Sequence, residues 1–276
     1  MNFTDKLWCF RKMRHIHSLE TLRQFAIDVA EMAGQAIMAI YATDSISMET
    51  KADHSPLTEA DLVAHRCIVK YLTELTPDIP IISEENELGA SFSCFERIFW
   101  LIDPLDGTKE FLSRNGEFTV NIALIEYGRP RLGVVYAPAA ALMFSGGATL
   151  GAFRSHAGQI ESIRVTSENS APTACRVVSS RSHLNDETLA FLKRLGSTHM
   201  DQIGSSLKFC KIAEGHADLY PRLAPTYEWD TAAAQAILEG AGGVVVDLTG
   251  IPLCYGKQVR LNPSFIAARS ISVIPK

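Results

Sequence analysis

The segment Trp100-Leu-Ile-Asp103-Pro-Leu-Asp106-Gly107-Thr108 limits what this chain can become more than any other stretch. An apolar strand, read from Arg97 to Ile102, ends abruptly on two aspartates spaced by three. Desolvating a carboxylate costs several kcal/mol, so an aspartate at a buried strand end needs a cation, a basic partner or water. Glu84 and Glu85 follow the short apolar strand Ile79–Ile82 and add two more carboxylates. The fold must gather these strand ends around something that compensates their charge. Taken alone, the motif also fits a polar turn, because Asp-Pro and Asp-Gly are common turn dipeptides.

Hard divalent cations take oxygen ligands, and magnesium sites combine a few carboxylates with waters and substrate phosphates. Carboxylates converging from separate loops therefore point to a multi-metal site for phosphoryl chemistry. Pro104 fixes the chain between the aspartates, and the Leu105 carbonyl is a further oxygen donor. Gly107 lets backbone approach closely, so its N–H and that of Thr108 can hold phosphate oxygens.

Two other segments carry acids in telling places. In Glu228-Trp229-Asp230-Thr231, Asp230 is a natural helix N-cap, yet a carboxylate has two oxygens and can also ligate metal. Between Lys51 and Asp61, Thr58 and Asp61 have capping-box spacing, with Asp in the usual Glu position. Asp61 can therefore be simply the start of a helix.

The remaining pattern is that of an ordinary globular protein. Its 276 residues, 47% of them hydrophobic, can bury a large core as one domain or two packed lobes. A net charge of -5 argues against a nucleic-acid polymer as partner. Cys9, Cys67, Cys94, Cys175, Cys210 and Cys254 lie far apart with no zinc spacing, so they read as reduced thiols of a cytoplasmic protein. Met1–His17 is read as a loosely ordered extension. Its basic residues could touch an anionic surface such as the cytoplasmic side of the inner membrane. Leu132–Phe153 holds no charged residue and is long enough to span a bilayer, but Pro138, Gly146, Gly147 and Gly151 interrupt it. Two buried strands fit it better than a membrane helix.

Helical spacing predicts helices from Ser18 to Tyr41 and from Thr58 to Leu75. Strands follow over Thr119–Tyr136, turning at Gly128-Arg129-Pro130, and over Met143–Arg154. After Ser155 the rhythm becomes α/β. Strand Arg176–Ser179, helices Asp186–Leu195, Ser205–Glu214 and Asp230–Gly240, and strand Val244–Asp247 are expected there. The expected organisation is an extension over 1–17, an α+β lobe over 18–155 and an α/β lobe over 156–276, with a cleft between the lobes.

Glu84-Glu85, Asp103-Pro-Leu-Asp106-Gly-Thr108, and Trp229-Asp230-Thr-Ala-Ala233 followed by Ala241-Gly-Gly243 occur in the order of the inositol monophosphatase superfamily signature, which the chain resembles from Leu19 to Lys276. Lys51–Asp61, Asp103–Phe111, Ser180-Arg-Ser-His183, Gly204-Ser-Ser-Leu-Lys208 and Ala213–Arg222 are most similar to bacterial 3'(2'),5'-bisphosphate nucleotidases of the CysQ type. Ala234-Gln235 departs from the Gly-His those enzymes often carry.

The resemblance implies a two-lobed αβαβα sandwich, mixed α+β and α/β, with a magnesium site. Glu84, Asp103, the Leu105 carbonyl, Asp106 and Asp230 would ligate Mg2+. Asp61 and Thr108 would orient and deprotonate the attacking water, and Gly107 and Thr108 would cradle the phosphate. Glu84 and Asp103 are thereby catalytic as well, and Glu84, Leu105, Asp106 and Asp230 border the substrate. Ser180, His183, Gly204 and Lys208 would line a nucleotide pocket, with Lys208 and Arg222 offering charge to a second phosphate. The residues leave other roles open: His183 as a helix cap, Lys208 on a solvated face, Arg222 paired with Glu228. The implied substrate is 3'-phosphoadenosine 5'-phosphate. Alternatives are inositol 1-phosphate or fructose 1,6-bisphosphate, or a phosphate-binding regulatory protein on the same fold. Lithium sensitivity and a homodimer are further implications.

Overall fold

Helix α1, Leu19–Tyr41, begins where Ser18 in extended backbone accepts the Thr21 N–H with its hydroxyl. Leu22, Phe25, Ala26, Val29, Ala33 and Ile37 recur every three or four residues and are buried along one face. The small hairpin β1, Met48–Thr50, and β2, Pro56–Thr58, leads into helix α2, Glu59–Leu75. Thr58 and Asp61 close the capping box that their spacing predicts. The computed structural model of the chain describes residues 17–43, 48–50, 56–89, 98–167, 174–195 and 198–275. The expectations for Met1–Ile16, for Lys51–Ser55, and for Cys9 and Cys94 fall outside these residues.

A seven-stranded sheet follows, its strands in chain order. They are β3 Ile81–Ser83, β4 Ile98–Asp106, β5 Thr119–Glu126, β6 Arg129–Ala137, β7 Leu142–Gly147, β8 Gly151–His156 and β9 Gln159–Ile163. Only β3 and β4 run parallel; the later pairs are antiparallel. The short helix α3, Thr108–Leu112, lies between β4 and β5.

The second sheet has five strands. In chain order come β10 Cys175–Ser180, α4 Asp186–Arg194, β11 Thr198–Ile203, α5 Leu207–Ala213, β12 Leu219–Arg222, α6 Ala232–Gly240, β13 Val244–Asp247 and β14 Phe265–Ala268. Helices α1 and α2 cover one face of the first sheet. Helices α5 and α6 fill the space between the sheets, and α4 packs outside the second. The order is αβαβα, as the resemblance implies.

The middle layer explains the alanine run of α6. Ala232 to Leu238 are all buried, so side chains must be small where the helix meets β6. A Cβ built on Gly133 would stand 1.9 Å from the Ala233 carbonyl oxygen. No larger residue fits that contact.

Strands β9, β11, β12 and β14 escape the sequence patterns. Four of the five β9 residues and four of the six β11 residues are exposed, which removes the alternation that marks half-buried strands. β12 contains Pro221, a residue that argues against a strand, and is wholly buried. The first sheet continues past Ser155 to Ile163. The uncharged stretch Leu132–Phe153 lies in β6, β7 and β8, and no helix among the described residues is long and apolar enough to cross a membrane. Cys67, Cys175, Cys210 and Cys254 are free thiols.

Candidate active site

Parallel pairing of β3 and β4 brings their carboxyl ends together, and with them Glu84 and Asp103. The β4–β5 register shifts between Asp103 and Asp106, and the bulge re-aims the side chains at the strand end. Asp103 is 1% exposed, and its Oδ1 accepts the Leu105 N–H at 3.1 Å. Asp230 arrives from the other lobe. One carboxylate oxygen from each of Glu84, Asp103 and Asp230 lies within 4.8 Å of the others.

Burial, then the charges of Glu84, Asp106 and Asp230, hold Asp103 well above the usual carboxylate range. Burial and the neighbouring Asp106 and Glu84 push Asp230 up to about 8, although the Tyr227 N–H bonded to its Oδ2 at 2.9 Å pulls the other way. Glu84, Asp103 and Asp230 together offer the oxygen donors that a hard divalent cation takes, and the two aspartates resist ionising alone. Asp106 borders the same cavity, as does Leu105.

Asp230 does not cap α6. Thr231 holds the cap position and makes no side-chain cap bond, its hydroxyl donating to the Glu228 carbonyl, while the Asp230 carboxylate turns back to Tyr227. Asp61, by contrast, serves two ends. Its Oδ2 accepts the Thr58 N–H at 2.7 Å and the Thr58 hydroxyl at 2.6 Å, while its Oδ1 faces the Thr108 hydroxyl at 3.2 Å. Helix start and Thr108 partner are one side chain. Gly107 sits at φ 93°, and a Cβ there would lie 3.2 Å from the Glu117 carbonyl oxygen.

A cavity of about 590 Å³ extends from these acids to Lys208, Tyr220 and Arg222. Lys208 is buried, not solvated. Its Nζ donates to the carbonyls of Ile203 and Ser205 and stands 5.3 Å from the centre of the Tyr220 ring. Burial pushes Lys208 down to about 8, with Asp106 opposing and Arg222 reinforcing the shift. Arg222 donates to the carbonyls of Ala224 (3.1 Å) and Pro225 (2.8 Å). Glu228 pairs instead with Lys257 at 2.6 Å and Arg260 at 3.4 Å.

His183 Nε2 lies 3.2 Å from Lys109 Nζ. Burial, then the charges of Arg222, Lys109 and Lys208, push His183 down to about 4, so its ring is neutral near pH 7. Asn185, not His183, caps α4. Ser180 Oγ accepts the His183 N–H at 3.2 Å, and both residues line the cavity. Gly204 is placed differently. Its N–H donates to Glu117 Oε2 at 2.8 Å, and a Cβ there would meet Glu110 and Glu117. Sequence reading passes over Asn121 and Ser206, which bond to Asp106. Asn121 falls in an apolar strand pattern, and Ser206 falls inside Gly204-Ser-Ser-Leu-Lys208, where the resemblance gives a role to Gly204 and Lys208 alone.

A cluster of acids and two buried cations lining one cavity fit a phosphatase that works with bound metal ions. The chain belongs to the inositol monophosphatase family, whose family model matches residues 18–272. Among its relatives, the 3'(2'),5'-bisphosphate nucleotidase CysQ of Escherichia coli strain K12 is 48% identical over 239 residues, 86% of this chain and 95% of the relative. The CysQ of Buchnera aphidicola is 43% identical over 250 residues, covering 87% and 91%. The crystal structure of CysQ from Bacteroides thetaiotaomicron, described as a bacterial member of the inositol monophosphatase family, superposes with a TM-score of 0.80 at 38% identity, covering 91% of this chain and 98% of the other. An IMPase of Thermotoga maritima gives 0.75 at 29% identity, covering 89% and 91%.

Proposed function

We propose that this chain is a magnesium-dependent 3'(2'),5'-bisphosphate nucleotidase that hydrolyses the 3'-phosphate of 3'-phosphoadenosine 5'-phosphate, giving AMP and phosphate. Its 5'-phosphosulfate analogue is a second substrate of the same shape. The observation that carries the reading is one cavity lined both by the acids Glu84, Asp103 and Asp230 and by the buried cations Lys208 and Arg222. A substrate with two phosphates has a partner for each set.

Glu84, Asp103, the Leu105 carbonyl, Asp106 and Asp230 would hold Mg2+, which when bound supplies charge stabilisation and a more acidic water. The Thr108 hydroxyl donates to Asp61 Oδ1 and keeps lone pairs free to accept a proton from the attacking water. As it does so, its own proton passes along that bond to Asp61 Oδ1, which becomes neutral, while Thr58 holds the other oxygen. Backbone N–H groups of Gly107 and Thr108 bind phosphate oxygens. Neutral His183 and Ser180 face the nucleoside, and Lys208 with Arg222 reads the second phosphate. Gly204 acts by holding the loop before Lys208. No covalent phosphoenzyme is formed. The reading extends to a homodimer working in the cytoplasm.

Phosphate release from 3'-phosphoadenosine 5'-phosphate, inositol 1-phosphate and fructose 1,6-bisphosphate, each with and without magnesium, tests it. The nucleotide should give the highest kcat/KM, and chelation should abolish turnover. A higher value for either of the other substrates overturns the assignment. No turnover on any of them would leave a phosphate-binding regulatory protein.

A further inference from the structure

Asp106 reaches the cavity differently from the other acids. One of its oxygens, Oδ2, is enclosed by protein donors from both lobes. Asn121 Nδ2, on β5, stands 3.1 Å from it, and Ser206 Oγ, just ahead of α5, stands 2.7 Å from it. Asn121 Nδ2 also donates to Ser206 Oγ at 2.9 Å, so the three atoms close a triangle. Asn121 and Ser206 are each 1% exposed.

The proton count fits one arrangement. The Thr119 hydroxyl lies 2.9 Å from Asn121 Oδ1 and 3.5 Å from Asp106 Oδ2, and donating its one proton to the nearer oxygen fixes the amide with its NH2 group toward Asp106. One amide N–H then serves Asp106 and the other serves Ser206. Ser206 has one proton, placed between Asp106 Oδ2 and the Asp230 carbonyl oxygen at 2.8 Å. A single hydroxyl thus ties the side chain of one acid to the backbone of another.

The chain invests local strain to place it. Ser205, with φ 46°, occupies the left-handed region that non-glycine residues avoid. Gly204 ahead of it is tied to Glu117 of the first lobe. The turn so held delivers Ser206 to Asp106, and its Ser205 carbonyl accepts from Lys208 Nζ.

We infer that Asn121 and Ser206 are positioning residues that clamp Asp106 Oδ2 from two lobes and leave Oδ1 oriented for a metal ion. This rests on the metal-site reading above, in which Asp106 is a ligand. Partners behind a ligand commonly change metal affinity tenfold or more when removed. A ligand free to rotate must be ordered again each time the ion binds.

The test is Mn2+ binding to the substrate-free protein, followed by electron paramagnetic resonance, for the parent, Ser206→Ala, Asn121→Ala, their double variant and Asp106→Ala. Each single clamp variant should bind Mn2+ about tenfold more weakly. The double variant should be much less impaired than the product of the two, since both act on one oxygen. In turnover assays of Ser206→Ala, the magnesium concentration giving half-maximal rate should rise while the substrate KM at saturating magnesium stays the same. Unchanged Mn2+ affinity in both clamp variants, with Asp106→Ala weakened, overturns the clamp alone. Unchanged affinity in Asp106→Ala as well removes Asp106 as a ligand, and the clamp with it. If Ser206→Ala does not fold, Ser206→Cys, a far weaker donor of similar size, is measured in its place against the same outcomes.

Discussion

Asp103 and Asp218 are almost equally buried, at 1% and 3% exposure, yet their surroundings are opposite. Asp218 accepts two bonds from the Arg176 guanidinium, at 2.9 and 3.1 Å, one from the Arg176 N–H, and an ion pair with Arg269 at 3.2 Å. Burial alone would push its carboxyl up, but Arg176 and Arg269 together hold it below the usual range. Asp103 accepts the Leu105 N–H and otherwise faces other acids, which drive it upward. Burial is therefore not what marks a site. A carboxylate compensated by the protein's own cations is a structural tie; one left to its acidic neighbours is waiting for a cation from outside.

Substituting each aspartate by asparagine probes this contrast most strongly. Asp103→Asn should cut turnover by about a thousandfold or more while the protein stays folded. Its metal-free melting temperature should hold or rise, because a repelling charge has gone. Turnover within about tenfold of the parent would remove Asp103 from the mechanism. Asp218→Asn should do the reverse. It leaves two arginines undercompensated and should lower stability by roughly 3 kcal/mol, with activity per folded molecule retained. Thermal unfolding and active-site titration separate the two results.

Lys208 sharpens the comparison from the basic side, since it too is buried but bonded only to carbonyls. Lys208→Met should lower kcat/KM for 3'-phosphoadenosine 5'-phosphate by roughly 30-fold, the size of one charge-assisted contact. The loss for 3'-AMP, which lacks the second phosphate, should be smaller. Equal losses on both would refute a role in reading that phosphate.

The smallest effect is on pH dependence. Asp103 and Asp230 have folded pKa values raised above the ordinary aspartate value near 4. Their contribution to stability is fully present below that value and is lost as pH rises through the folded values, about 8 for Asp230. Metal-free protein should accordingly lose melting temperature from pH 5 to 9, and Asp230→Asn should flatten part of that fall. Asp218, with its pKa lowered, contributes above the ordinary value and loses that contribution only on acidification. A flat metal-free profile across this range would mean that the acid cluster does not repel itself as described.

Helices α1 and α2 and the buried strands of the first sheet were legible because their signals are local. Three- and four-residue apolar spacing, the Thr58 and Asp61 cap, and uncharged strands ending on aspartate need no knowledge of the rest of the chain. The edge strands β9 and β11 were hidden because exposure erases periodicity. In the site, the acids stood out by their place at strand ends. Lys208 stood out only through the resemblance, because by pattern alone a lysine on a short helix looks solvated until the second sheet closes over it.

The order of residues alone determined that carboxylates fall at strand ends and would need compensation there, since charge and local periodicity are written along the chain. Only the tertiary structure decided which carboxylates are compensated from within, which stay exposed to one another, and which neutral donors steady them. Those outcomes depend on contacts between segments far apart in the chain, such as Asp106 with Ser206 and Asp103 with Asp230. Their energies are set by the low-dielectric space that forms only when the two lobes pack.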